Sequence, residues 1–298
     1  MQKILVVVGP TASGKSALGV RLARRFNGEI ISADSRQVYK GLNIGTGKIT
    51  KKEMRGVRHH LLDIVTPKKT FTANDFIRLG DAALNKIEHR KKIPMIVGGT
   101  AFYIDALLGR IELAEAAPNM KLRQKLSKKS ASQLFALLEK RDPTRAGKLN
   151  ESDRQNPVRL IRAMEIVSQK RKKVSARPNF AGDILWLGII PPQNDLRNRI
   201  HKRLLARMKA GMVAEVQKLH DQGLSWKRME ELGLEYRYLA LYLQKKITKE
   251  EMLAQLENKI WQYAKRQQTY WKRNSHIRWY KPTETIRIEK TIKNWLKK

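Results

Sequence analysis

The sequence predicts an α/β fold, with a doubly wound P-loop core, a parallel sheet and an inserted helical lobe. Three observations predict it. Apolar, β-branched runs alternate with stretches of helical spacing in the first third of the chain. The first run leads directly into a glycine-rich phosphate-binding motif. A long middle segment has only basic, helix-like patterns, and another apolar run follows it.

Four apolar runs of the first third predict strands: "KILVVV" (3–8), "GEIISAD" (28–34), "HHLLDIV" (59–65) and "IPMIVGGT" (93–100). The segments 16–26 and 72–89 have helical spacing and are predicted as helices between strands. Ligands of such folds bind at the carboxyl ends of the parallel strands. We therefore expect the glycine loop, Asp34 and Thr100 to lie together at that edge.

The middle of the chain predicts the inserted lobe. Between residues 111 and 179 the patterns are those of amphipathic basic helices, with a basic cluster "KRKK" (170–173) and a loop over 175–183. "ILWLGII" (184–190) returns to a buried strand, and the rest is predicted mostly as helix, including one from Lys249 to Lys272. We predict a core of residues 1–110 and 180–298 and a lobe of residues 111–179.

The charge balance points to polyanionic partners. The chain has 62 Lys and Arg against 27 Asp and Glu, a formal charge of +35, and 41% apolar residues. Such a protein folds and attracts nucleic acid or an anionic membrane. The sequence has no cysteine, which excludes disulfides, thiolate catalysis and cysteine-based zinc sites. Because no run of about 18 apolar residues and no signal-peptide pattern occur, we predict a cytoplasmic protein without membrane contact.

"GPTASGKS" matches the P-loop pattern G-x-x-x-x-G-K-[ST]. Its glycines let the backbone wrap a phosphate, Lys15 reaches the terminal oxygens, and Ser16 is the predicted ligand of Mg²⁺. The predicted diphosphate-binding residues are Gly9, Pro10, Thr11, Ala12, Ser13, Gly14, Lys15 and Ser16.

The residues alone do not show which substrate carries the phosphate that this loop binds. A small-molecule kinase needs a second acid after an apolar strand to hold the metal, and the sequence offers thin evidence for one. If the phosphate is instead a pyrophosphate leaving an allylic carbon, the site needs cations and a base for a weakly nucleophilic amine. Asp34 ends a strand beside the loop and suits that base, but it also suits a cap for the following turn.

Seven segments stand out in order along nearly the whole chain: "GPTASGKS" (9–16), "DSRQVYKGLNIGTGK" (34–48), "HHLLDI" (59–64), "VGGTAFYIDALL" (97–108), "RLIRAMEI" (159–166), "RIHKRLLARM" (199–208) and "YAKRQQTYWKR" (263–273). Together they resemble the motifs of bacterial-type tRNA dimethylallyltransferases, also called tRNA isopentenyltransferases. The resemblance implies transfer of a dimethylallyl group from its diphosphate to the N6 amine of the adenosine 3′ to the anticodon, with Mg²⁺ as cofactor.

The resemblance also implies roles for individual residues. It makes Asp34 the general base, Thr100 a hydroxyl at the substrate pocket and Arg203 a ligand of the leaving pyrophosphate. It implies partners, the tRNA anticodon stem-loop and dimethylallyl diphosphate, and we expect a monomer. The implied tRNA contacts are Ser35, Arg36, Gln37, Arg159, Arg162, Lys265, Arg266 and Gln267.

One position departs from the family pattern. The chain has Glu235 before Tyr236 and Arg237, where the family usually has glycine, so a close backbone approach to RNA there is in doubt. Four aromatic residues near Lys265, namely Trp261, Tyr263, Tyr270 and Trp271, suit stacking on unpaired bases, although Trp261 and Tyr263 suit core packing equally. An adenine-nucleotide isopentenyltransferase, a small-molecule P-loop kinase and a nucleic-acid-binding protein with a structural P-loop are the alternatives.

Overall fold

The computed structural model describes residues 2–111, 113, 116–169 and 180–298. The chain divides into two compact units, which we call the sheet unit (Met1–Arg110 with Asn179–Lys298) and the helical unit (Ile111–Pro178). The basic cluster 170–173 and most of the predicted loop 175–183 lie outside the described residues. Across the described ranges, no helix is long and apolar enough to cross a membrane.

In the described part of the sheet unit, six strands form one parallel sheet in the order β3-β2-β4-β1-β5-β6. They are β1 (Lys3–Val8), β2 (Gly28–Ala33), β3 (His59–His60), β4 (Ile93–Gly98), β5 (Asp183–Ile189) and β6 (Arg278–Tyr280). Val8 and Ala33 both lie opposite Gly98. The residues that follow β1, β2 and β4 therefore meet at one edge of the sheet, as predicted.

The described helices follow in chain order. The first nine are α1 (Lys15–Arg25), α2 (Lys51–Met54), α3 (Ala73–His89), α4 (Ala101–Leu107), α5 (Met120–Leu126), α6 (Ala131–Arg141), α7 (Pro143–Gly147), α8 (Glu151–Arg154) and α9 (Pro157–Ser168). The others are α10 (Gln193–Lys209), α11 (Met212–Asp221), α12 (Trp226–Leu232), α13 (Leu234–Leu243), α14 (Lys249–Trp271) and α15 (Thr285–Leu296).

Side chains of the sheet alternate between two cores. Ile4, Val6 and Val8 pack on one face with residues of α3 and α4, such as Phe76 and Ile104. Leu5 and Val7 point to the other face and pack with residues of α1 and α15. Because both faces are covered, β1 is apolar without interruption, as its sequence predicted. The α/β fold with a parallel sheet is confirmed.

Helices α10 to α14 form a third core within the sheet unit. Leu196, Ile200 and Leu204 recur every four residues along α10 and are buried with residues of α11, α13 and α14. The loop after β2 contributes Val38 and Leu42 to the same core. This packing holds α10 against the loop that follows the β2 strand.

The helical unit has its own small core. Leu134 and Leu138 of α6 pack with Leu160 and Met164 of α9, which are spaced as on one helix face. The described part of the unit contains helices α5 to α9, and the predicted inserted helical lobe is confirmed.

One strand prediction was wrong in extent, and one strand was missed. The run 59–65 forms only the two-residue strand β3, because Leu61 and Asp63 adopt left-handed φ angles of 65° and 53° and cannot continue a strand. The short strand β6 was not predicted. Its sequence, Arg-Trp-Tyr, is too short to show alternation, and only Tyr280 is buried in it.

Candidate active site

The P-loop lies between the end of β1 and the start of α1. Gly9 packs against the backbone of β5, and a Cβ there would come within 2.4 Å of the Ile189 carbonyl oxygen. Gly14 has a left-handed φ of 92° and forms the N-cap of α1, a conformation that favours glycine. Lys15 Nζ donates to the Pro10 carbonyl oxygen at 3.1 Å. The loop therefore folds back on itself and brings its lysine to the start of the helix.

Two cations share this end of the sheet unit. Burial, together with the charge of Arg203, lowers the pKa of Lys15 to about 8, while the Asp34 carboxylate opposes this shift. Burial and the charge of Arg207 lower the pKa of Arg203 to about 10, against the carboxylates of Glu235 and Asp34. Burial is the larger cause for both groups, because the charged form loses water, and an anion bound beside them would stabilise that form. The site is therefore ready to accept an anion.

A cavity of about 700 Å³ opens beside the loop. Lys15, Ser16, Gly47 and Arg203 contribute to its walls, together with Arg199 from α10. Its volume is that of an ordinary small-ligand site. The cavity brings the predicted diphosphate ligands Lys15, Ser16 and Arg203 together.

Asp34 follows β2 directly and faces the same region. Its Oδ1 accepts hydrogen bonds from the backbone N–H groups of Arg36 at 2.8 Å and Gln37 at 3.3 Å, so the carboxylate does cap the following turn. Among the described residues, no hydrogen-bond partner is found for Oδ2. Capping therefore leaves one carboxylate oxygen available to a substrate.

Thr100 ties the end of β4 to that turn. Its Oγ1 accepts from the Ser35 N–H at 3.0 Å, and its own N–H donates to the Ala33 carbonyl oxygen at 3.1 Å. Tyr263 of α14 lies against the Thr100 side chain, and burial raises the pKa of the Tyr263 hydroxyl above the ordinary tyrosine value. Thr100 thus fixes the backbone on both sides of Asp34.

Two predicted RNA contacts, Gln267 and Gln37, make hydrogen bonds within the protein. Gln267 is 6% exposed; its Oε1 accepts from the Thr11 N–H at 2.8 Å and its Nε2 donates to the Gly99 carbonyl oxygen at 2.9 Å. Gln37 Nε2 donates to the Gly47 carbonyl oxygen at 3.3 Å. Gln267 is buried and joins the P-loop to the end of β4, whereas Gln37 is partly exposed and joins its turn to Gly47.

Two further predicted RNA contacts, Lys265 and Arg266, are exposed cations of α14. Lys265 Nζ stands 5.2 Å from the ring centre of Trp261, and the Arg266 guanidinium stands 6.0 Å from that of Tyr263. Both side chains are exposed. Trp271 is 1% exposed and belongs to the core, so base stacking by this residue was a wrong prediction.

The predicted arginines of the helical unit already have partners. Arg159 is exposed and pairs with Asp153. Arg162 donates to Glu165 Oε2 at 3.0 Å and to the Ala116 carbonyl oxygen at 2.7 Å. Glu165 is fully buried. Arg162 is therefore bound into the fold of its unit more tightly than Arg159.

Sequence reasoning missed the contact between α10 and α13. Arg207 Nη1 donates to Glu235 Oε1 at 3.2 Å and to the Gly45 carbonyl oxygen at 3.2 Å. Glu235 was noted only as a departure from a pattern. The available signal was the spacing of Arg203 and Arg207, four residues apart and therefore on one face of a helix.

The residues present fit a divalent metal only with help from a substrate. In the described ranges, no group of three or more His, Cys, Asp or Glu side chains could hold a metal ion. Ser16 is exposed on the cavity wall and offers a hydroxyl oxygen. Mg²⁺ commonly binds through one or two protein oxygens, substrate phosphates and waters, and this donor set fits that mode.

Comparison with known proteins gives a consistent result. Residues 37–274 match the model of the family described as IPP transferase. A tRNA dimethylallyltransferase 2 from Treponema denticola is 43% identical over 278 residues, which cover 90% of this chain and 91% of the relative.

Two solved structures resemble the whole chain. The full-length tRNA isopentenylpyrophosphate transferase of Bacillus halodurans matches with a TM-score of 0.75 and 31% identity, over 100% of this chain and 97% of that one. A eukaryotic dimethylallyltransferase, solved acting on tRNA, matches with a TM-score of 0.78 and 25% identity, over 95% of this chain and 75% of that one. The family resemblance predicted from the motifs is confirmed.

Proposed function

The chain belongs to the IPP transferase family of tRNA dimethylallyltransferases, and from this premise we propose how its site acts. The enzyme transfers a dimethylallyl group from dimethylallyl diphosphate to the N6 amine of the adenosine 3′ to the anticodon of tRNA, and pyrophosphate is released. The homologues support this function over nucleotide prenylation or kinase activity, because they are named for the tRNA reaction.

One observation carries the assignment of roles. The free Oδ2 of Asp34 and the buried cations Lys15 and Arg203 interact electrostatically at one end of the parallel sheet. A prenyl transfer needs both features in one place, a base on the amine side and cations on the diphosphate side. A kinase also uses a carboxylate that follows an apolar strand, so the preference for prenyl transfer over a kinase rests on the homologues, which are named for the tRNA reaction.

The proposed step balances as a displacement at the allylic carbon. The bond between that carbon and the diphosphate oxygen breaks while the bond to N6 forms, and the N6 proton passes to Asp34 Oδ2. Lys15, Arg203 and the P-loop N–H groups stabilise the charge that develops on the pyrophosphate. Thr100 keeps Asp34 in place through its hydrogen bond with Ser35 N–H.

A divalent metal bound by the Ser16 hydroxyl and the diphosphate oxygens would supply additional positive charge to the leaving group. We propose Mg²⁺, since hard oxygen donors suit it and the cavity wall provides one.

We assign tRNA contacts to exposed or partly exposed residues of both units. In the sheet unit these are Ser35 and Arg36, on the turn that Asp34 caps, and Lys265 and Arg266 on α14. In the helical unit they are Arg159 and Arg162, which gives residues 111–179 a role in holding tRNA. The adenosine must leave its stack to reach Asp34, as in other enzymes that modify bases. The cytoplasmic location and the monomeric state stay predictions from the sequence.

The test is to incubate the protein and Mg²⁺ with radiolabelled dimethylallyl diphosphate and an unmodified tRNA that carries the target adenosine. AMP and ATP serve as parallel acceptors. We expect label in the tRNA and release of pyrophosphate, with no label in the nucleotides.

Each other outcome points to a named alternative. Label on AMP would replace this proposal with a nucleotide isopentenyltransferase. ATP consumption without prenyl transfer would indicate a kinase. Binding of tRNA without any product, equal in the Lys15→Ala variant, would indicate a binding protein with a structural P-loop.

A further inference from the structure

Glu235 brings a carboxylate into the cationic end of the site. It lies in the first turn of α13, and its Oε1 accepts from Arg207 Nη1 at 3.2 Å. The Arg207 and Glu235 side chains are only 12% and 17% exposed. An ion pair so far withdrawn from water is harder to break than a surface pair, because losing one partner leaves the other charge uncompensated.

Arg203 and Arg207 occupy neighbouring space although they carry the same charge. A Cβ placed on Gly47 would lie 2.3 Å from an Nη atom of Arg203 and 1.8 Å from one of Arg207. The two guanidinium groups therefore lie side by side over this glycine. Their repulsion is visible in the pKa of Arg203, which burial and then Arg207 lower to about 10.

The two arginines nevertheless face different surroundings. Arg203 contributes to the wall of the 700 Å³ cavity, whereas Arg207 is absent from that wall. Both donate to carbonyl oxygens of the 45–47 turn, Arg203 to Gly47 at 3.3 Å and Arg207 to Gly45 at 3.2 Å, and Arg207 also pairs with Glu235. The two arginines thus differ in two respects: Arg203 lines the cavity, and Arg207 pairs with Glu235.

The start of α13 also fixes the turn itself. The Tyr236 hydroxyl donates to Glu215 Oε1 at 2.7 Å, and the same carboxylate accepts from the N–H groups of Asn43, Ile44 and Gly45. Glu215 therefore holds the backbone of the turn, and Glu235 holds Arg207, which lies on that turn.

We propose that Glu235 is a positioning residue that keeps Arg207 on the 45–47 turn and out of the diphosphate cavity. This inference rests on the proposed function, in which the cavity holds the leaving pyrophosphate. With Arg207 retained on the turn, its guanidinium does not add to the cations of the cavity wall, among them Lys15, Arg199 and Arg203. Pyrophosphate is therefore held less tightly than the number of nearby cations would allow, and it can leave after each turnover.

The charge-neutral variant Glu235→Gln tests this directly. Its amide keeps the shape of the side chain but no longer compensates Arg207, whose guanidinium then turns toward the nearest anion. We expect tighter binding of inorganic pyrophosphate by roughly threefold to tenfold, the scale of coupled charges in one network. Arg207→Gln should have the opposite sign, because it leaves Glu235 to pair with Arg203.

The measurement is a calorimetric titration of each protein with inorganic pyrophosphate in the presence of Mg²⁺. Glu231→Gln is the matched control, since Glu231 pairs with Arg228 at 3.0 Å in the neighbouring helix α12. Thermal melting of every variant shows whether it is folded. In turnover assays, the inhibition constant of pyrophosphate should move with the binding constant, while the KM for tRNA stays the same.

The double variant Glu235→Gln/Arg207→Gln should return pyrophosphate affinity to the wild-type value. If both single variants weaken binding, or if Glu235→Gln leaves it unchanged, Glu235 only supports the fold and the inference is overturned. If the wild-type protein does not bind pyrophosphate at all, the proposed function fails instead. Should Glu235→Gln not fold, Arg207→Gln alone decides, since unchanged or tighter binding in it contradicts the inference.

Discussion

The cavity end of the sheet unit and the core of the helical unit differ in how their basic side chains are paired. In the sheet unit, burial and neighbouring cations lower the pKa values of Lys15 and Arg203, to about 8 and about 10. In the helical unit, burial of Glu165 is outweighed by hydrogen bonds from Arg123, Asn119 N–H and Arg162, and its pKa falls to about 2. The cavity end of the sheet unit concentrates positive charge, whereas the helical unit pairs its arginines with buried Glu165, as Arg90 pairs with buried Glu29 elsewhere in the sheet unit.

This difference separates the residues that bind from the residues that fold. A net charge of +35 says that the chain attracts polyanions, but it does not say which cations are available to them. Lys15 and Arg203 have lowered pKa values chiefly because burial removes water from their charged forms, and a bound anion stabilises those forms. A cation paired with a buried carboxylate gains little. The comparison predicts that substitutions in the sheet unit change catalysis far more than those in the helical unit.

The largest effect is expected for Asp34→Asn. An asparagine Oδ1 still accepts the N–H groups of Arg36 and Gln37, so the turn is kept, but the side chain no longer takes a proton. We expect turnover to fall by about two to four orders of magnitude, the usual value of a positioned base. Single-turnover assays at saturating tRNA measure the chemical step, and tRNA affinity should change little.

The same variant distinguishes the two roles open to Asp34. If the carboxylate serves only as a cap, Asp34→Asn keeps wild-type turnover, because asparagine caps as well as aspartate. Asp34→Ala is the companion, since it removes both the cap and the base. Activity retained in the first variant and lost in the second would take Asp34 out of the proton transfer.

These two roles mark the limit of what the sequence predicts. The P-loop, the strand ends and α14 were predictable because each depends on a local pattern of apolar, glycine or β-branched residues. The inward turn of Gln267 was not, because its partners Thr11 and Gly99 lie more than 150 residues away in the chain. The Arg207–Glu235 pair joins two helices: the four-residue spacing of Arg203 and Arg207 places both on one face of α10, but nothing local identifies Glu235 as a partner.

The next effect in size is expected for Arg203→Gln. This variant removes the arginine of the cavity wall but keeps a polar side chain near the Gly47 carbonyl oxygen, its present partner at 3.3 Å. We expect turnover to fall by about two orders of magnitude, as when an enzyme loses one charge-stabilising donor. Pyrophosphate affinity should fall in parallel.

Arg199→Gln is the control for Arg203→Gln, because Arg199 contributes to the same cavity without a role in the proposed step. Equal losses in the two variants would mean that the cavity needs only general positive charge. The contrast with the helical unit would then rest on the number of cations and not on their positions.

A smaller, pH-dependent effect is expected from Lys15. Its pKa of about 8 in the free protein means that the lysine loses its proton as the pH rises above 8, whereas a bound anion favours the charged form. Pyrophosphate binding must therefore take up a proton above pH 8. We expect affinity to fall by roughly tenfold per pH unit above this value, until the pKa of the complex is reached.

Titrations from pH 7 to pH 10 in wild-type protein and in Lys15→Arg measure this effect. The introduced arginine stays charged throughout, so its profile reports the ionisation of pyrophosphate together with that of Arg203, whose pKa is about 10. The difference between the two profiles belongs to the lysine. Identical profiles would show that Lys15 keeps its proton over this range. Burial and Arg203 would then lower the pKa of Lys15 less than we infer.

The smallest effect is expected in the helical unit, from Arg159→Gln compared with Arg162→Gln. Arg159 is exposed, and its partner Asp153 can be exchanged for a phosphate at little cost, since exposed pairs are weak. We expect Arg159→Gln to weaken tRNA binding by a few-fold and to lower the salt slope by about one, with turnover at saturating tRNA unchanged. Filter binding at several salt concentrations measures both quantities.

Arg162→Gln should lower the melting temperature more and the slope less, because Arg162 is tied to buried Glu165. A slope that falls only in Arg162→Gln would show that a buried carboxylate does not withhold an arginine from RNA, and the contrast between the two units would not hold.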